Sequence, residues 1–74
     1  MKTITLTAVL EKEDDDYVAL CPEIDVASQG HTVEEAMANL KEAVTLFMEC
    51  ASKKEIQERL HSEVFITRFE TQYA

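Results

Sequence analysis

The chain has 74 residues, is 46% hydrophobic and carries 15 Asp and Glu against 7 Lys and Arg, a formal net charge of −8. That length makes one domain, residues 1–74, which buries only ~60% of its unfolded surface, so added burial in an oligomer or against a partner is expected. The apolar content excludes disorder, and the acidity disfavours phosphate backbones and anionic lipid while speeding encounter with a basic protein.

Residues Thr3 to Lys12 alternate, with Ile4, Leu6, Ala8 and Leu10 on one face and Thr3, Thr5, Thr7 and Val9 on the other. A period of two predicts a strand. Glu11 to Asp16 is a polar run with nothing to bury and predicts an exposed hairpin connection. Tyr17 to Cys21 predicts a second strand, ended by Pro22, which cannot donate to a ladder. Ile24 to Gln29 predicts a third strand, with Ile24, Val26 and Ser28 on one face. Gly30 is expected to break it by adopting backbone angles that other residues avoid.

The strongest signal follows. Val33, Ala36, Met37, Leu40, Ala43, Val44, Phe47 and Met48 recur at helical spacing, with Glu34, Glu35, Asn39, Lys41, Glu42 and Glu49 largely opposite. This predicts an amphipathic helix from Thr32 or Val33 to about Cys50. Thr32 and Glu35 form a capping-box pattern at its start, where the acidic groups also suit the helix dipole. Ala51 to Leu60 predicts a short helix or a turn region tying the long helix back to the sheet. Val64 to Thr71 predicts a last strand, with Val64 and Ile66 on one face and Phe65 and Phe69 on the other.

The expected fold class is therefore α+β, a two-layer β-β-β-α-β arrangement with sheet order 3-2-1-4 and a right-handed crossover through the helix. One helix covers one sheet face. Thr5, Thr7, Phe65 and Phe69 are candidates for the second face, which suggests an oligomer interface and a homo-oligomer.

The pattern offers no catalytic set. Asp14, Asp15 and Asp16 lie in a hairpin loop without an apolar pocket to raise a pKa or a turn glycine to wrap an ion. His31 and His61 lack partners at metal-ligand spacing. Cys21 and His31 could meet in space with Glu23 or Asp25 as an orienting carboxylate, but a surface or cap-adjacent histidine is the plainer reading. A single Gly excludes phosphate-cradling loops. No metal, no cofactor and no enzymatic activity are expected. Cys21 and Cys50 read as buried thiols in a reducing compartment. The start shows no signal peptide and no run approaches the ~20 apolar residues of a membrane span, so a cytoplasmic protein is expected.

The segments Tyr17-Val18-Ala19-Leu20-Cys21-Pro22-Glu23, Ser28-Gln29-Gly30-His31-Thr32, Glu34-Glu35-Ala36 and Asn39-Leu40-Lys41-Glu42-Ala43 together resemble the HicB family of type II antitoxins. The resemblance extends over nearly the whole chain, although Ile24-Asp25-Val26 runs through where the family often has Pro-Gly. It implies a partial RNase H-like domain without nuclease chemistry. It also implies a partner, a small basic HicA-like toxin that cleaves RNA through an active-site histidine and is blocked by the antitoxin. Many members add a C-terminal DNA-binding domain. This chain reads as the short stand-alone form, with no direct nucleic-acid contact of its own. Glu23, Asp25, Glu34, Glu35 and Glu42 are the candidate partner-binding residues.

Overall fold

The computed structural model describes residues 3–61 and 63–74. It is an α+β chain running β1 (Val9–Glu13), β2 (Asp16–Cys21), β3 (Val26–Gly30), α1 (Val33–Cys50) and α2 (Lys53–Arg59). The three strands form an antiparallel sheet in the order β1-β2-β3. β1 meets β2 with Val9 opposite Leu20 and Glu13 opposite Asp16. β2 meets β3 with Tyr17 opposite Gly30 and Cys21 opposite Val26.

The polar run after Leu10 is mostly strand rather than loop. Glu11, Lys12 and Glu13 belong to β1, and only Asp14 and Asp15 make the turn. Exposed strand positions tolerate charge because the ladder bonds come from the backbone. Asp14 takes a φ of 55°, in the left-handed region that short Asx side chains enter at small cost. Strand β1 starts at Val9 and not at Thr3, because β2 ends at Cys21 opposite the start of β1 and leaves residues 3–8 no partner strand.

Alternation along β2 turns Ala19 and Cys21 towards α1, where both are buried, and leaves Leu20 exposed on the far side. The core consists of Ala19, Cys21, Ile24, Ala36 and Leu40, with Leu6, Leu10, Val44, Phe47 and Leu60 packed around it. Ile24 is fully buried although it lies in the turn before β3 rather than in the strand. Each such aliphatic side chain contributes ~1.5–3 kcal/mol on burial. The sheet face away from α1 carries Val9, Val18, Leu20 and Ala27 by the same alternation.

Helix α1 follows its sequence pattern, with Ala36 and Leu40 buried. Its cap is half of the expected box: the Thr32 hydroxyl accepts from the Glu35 N–H at 3.0 Å. The full reciprocal box forms at the start of α2, between Ser52 and Glu55. Gly30 has no positive φ. Its role is space, since a Cβ there would lie 2.5 Å from the Ala36 backbone nitrogen. This lets β3 and the first turn of α1 touch backbone to backbone.

The last expected strand, Val64–Thr71, pairs with none of the described residues. Residues 63–74 form an extended tail in which Phe65, Phe69 and Tyr73 are 86%, 87% and 95% exposed. A strand needs a partner backbone beside it, and none of the described residues provides one there. Cys50 is exposed, unlike Cys21, because it sits at the end of α1 beyond the sheet.

Candidate functional site

The turn between β2 and β3 gathers the longest-range polar contacts among the described residues. The Glu23 carboxylate accepts from the Thr7 N–H at 3.0 Å through both oxygens and from the Thr7 hydroxyl at 2.6 Å. Those bonds hold its pKa below the usual carboxylate value, the Thr7 hydroxyl contributing most. The Cys21 thiol lies 3.6 Å from the same carboxylate, and burial pushes its pKa up. Asp25 takes a φ of 54°. Its carbonyl accepts from Arg59 at 2.9 Å, its carboxylate faces His61 Nε2 at 3.3 Å, and the His61 N–H donates to the Glu23 carbonyl at 2.6 Å. Arg59 also lies 5.0 Å above the Phe47 ring. Thus α2 ties the end of α1 back to the sheet. Glu23 and Asp25, expected to meet a partner, both engage this internal network.

The other three candidates behave differently. Glu34 and Glu35 are exposed on the first turn of α1, and Glu42 is exposed two turns further on. Glu49 continues the acidic series, with the half-exposed Leu46 between. The last turn of α1 contains no basic residue. Ser28, Asn39, Glu42 and Leu46 line a shallow depression beside β3. His31 Nδ1 sits 2.7 Å from Asp16 at the hairpin end, and that carboxylate raises the imidazole pKa, helped by Glu35.

Of the four candidate interface residues, Thr5, Phe65 and Phe69 are exposed, while the polar groups of Thr7 are taken by Glu23. A mostly apolar cleft of about 390 Å³ lies between residues 4–8 and α1, walled by Ile4, Leu6, Ala8, Met37, Leu40 and Val44. Sequence reasoning missed this cleft and the Arg59–Asp25 anchor, whose partners are separated by 34 positions without any local pattern to link them.

Cys21 and His31 do not meet. His31 pairs with Asp16 at one end of β2 and Cys21 ends the other, roughly 16 Å away at ~3.3 Å per strand residue. Among the described residues, no three His, Cys, Asp or Glu side chains converge as a metal site requires. No described helix is long and apolar enough to cross a membrane.

This geometry presents surface: an acidic helix face, an apolar cleft and an aromatic tail. The chain is similar to proteins named UPF0150. A UPF0150 protein of Synechocystis is 52% identical over 46 residues, covering 60% of this chain and 64% of the relative. One of Helicobacter pylori is 41% identical over 44 residues, covering 58% and 61%. A second Synechocystis UPF0150 protein is 49% identical over 45 residues, covering 58% and 57%. The matched stretch spans less than two thirds of the length of these curated relatives. No family model matches the chain, and no solved structure matches it.

Proposed function

We propose that the chain is a HicB-like interaction module that binds and neutralises a small basic, RNA-cleaving toxin of the HicA kind in the cytoplasm. The observation that carries this reading is the outer face of α1, where Glu34, Glu35, Glu42 and Glu49 stand exposed with only Lys41 among them. The UPF0150 relatives support it, since that name denotes the HicB-like family. In this reading the acidic face steers a basic partner and adjoining apolar groups such as Leu46 slow its release. The chain performs no chemistry; it occludes the toxin's active-site histidine. The sheet is then the partial RNase H-like one.

The test is RNA cleavage by a HicA-type toxin with and without one equivalent of the chain. Inhibition at low salt is expected, weakened roughly tenfold or more in the triple variant Glu34→Gln, Glu35→Gln, Glu42→Gln. Undiminished cleavage with folded wild-type chain at low salt refutes the reading.

A further inference from the structure

Three features of this chain fit one another. Residues 63–74 form an extended arm with almost fully exposed aromatic side chains. The molecule is long: 49 Å against 17 Å in its thinnest direction, with a radius of gyration of 14.4 Å. A compact domain of this length has about 11 Å. The sheet has two edge strands, β3 and β1. At the β3 edge one backbone acceptor is already engaged by α1, whose Asn39 amide donates to the Gln29 carbonyl at 2.8 Å. The opposite edge is β1 and the segment 3–8 before it, which joins no strand ladder among the described residues, its Thr7 N–H being held by the Glu23 carboxylate. Finally, the apolar cleft lies directly beside residues 4–8.

We propose that residues 63–74 of one copy add as a fourth strand to the open edge of residues 3–8 in a second copy, with the exchange reciprocal. The alternation of the arm suits both faces of that edge. Val64 and Ile66 would cover the cleft beside Ile4 and Leu6. Phe65 and Phe69 would lie on the outer sheet face near Thr5 and Leu20. The sheet order becomes 3-2-1-4, with strand 4 supplied by the partner copy. A two-fold arrangement lets each chain give an arm and receive one.

The occupant is a second copy for two reasons. The start of the arm is fixed by the bonds of Arg59 and His61 to Asp25 and Glu23, and beyond that anchor the arm runs clear of its own sheet. The burial is also sufficient. Three aromatic side chains at ~150–250 Å² each, in two arms, reach on the order of the ~1,200 Å² of a stable interface before the edge itself is added. The assignment does not rest on the toxin reading and holds with or without a toxin.

Light scattering on the full chain tests it. The wild type is expected at twice the chain mass, and the arm variant Phe65→Asp, Phe69→Asp at the chain mass. Those side chains lie outside the core, so the variant should retain the wild-type circular dichroism. The edge variant Ile4→Asp, at a half-exposed position, should likewise be monomeric. Mixing the two variants should restore a weaker dimer, seen at higher protein concentration, because one intact edge then meets one intact arm. Energy transfer between chains labelled at the exposed Cys50 follows that mixing. A monomeric wild type, whether its arm is folded on its own sheet or held for a different protein, overturns the proposal. So does a dimer that survives the arm substitutions.

Discussion

Gly30 is read from sequence as a strand breaker, and it does end β3, but its backbone angles are ordinary. What the position demands is the absence of a Cβ against the backbone of Glu35 and Ala36. Gly30→Ala should therefore cost about 1–3 kcal/mol in urea unfolding, the range for overpacking a close contact. A neutral or stabilising result would remove the close approach of β3 and α1. Glu23 carries a pH prediction. Its pKa is lowered by folding, so its contribution is present above its ordinary value of 4.5 and is lost as pH falls through the folded value. Glu23→Gln should flatten that acidic limb of stability, and Thr7→Val should flatten part of it. His31 has the opposite sign. Its pKa is raised above 6.5, so its pairing with Asp16 is complete below that value and fades as pH rises through the folded one. An NMR titration of the ring should move back towards 6.5 in Asp16→Asn. None of these contacts was legible in advance, because each joins positions whose nearness the fold creates.

Helix α1 and strands β2 and β3 were legible because local periodicity specifies them. Eight apolar positions at helical spacing leave only one face to bury, and Pro22 and Gly30 punctuate the strands on either side. The ends were less legible. The start of β1 depends on where β2 stops, and residue 3–8 alternation says strand whether or not a partner exists. The same holds for Val64–Thr71, whose pattern is strand-like although no described residue pairs with it. Helix α2 was ambiguous by propensity, and its Ser52–Glu55 box decides it. Ser52→Ala should cost about 0.5–2 kcal/mol of local stability. It should also speed amide exchange at the end of α2, where His61 meets Glu23. Unchanged exchange there would mean that the anchor at the turn, rather than the cap, holds α2.

A single copy of this chain is a three-stranded sheet with an acidic skin, which the proposed exchange would complete. At a net charge of −8 per copy, two copies repel, so a dimer built on arm exchange should tighten as salt is added. Capture of a basic toxin should loosen under the same change. Opposite salt responses thus separate the two proposed surfaces: the apolar edge proposed to join copies and the acidic helix proposed to meet a partner. Amide hydrogen exchange followed by mass spectrometry across protein concentration tests the proposed fourth strand most directly. Residues 3–8 and 63–74 should become protected together as concentration rises, while β2 and α1 stay protected throughout. Arm amides that exchange at the rate of a free chain at every concentration would contradict it.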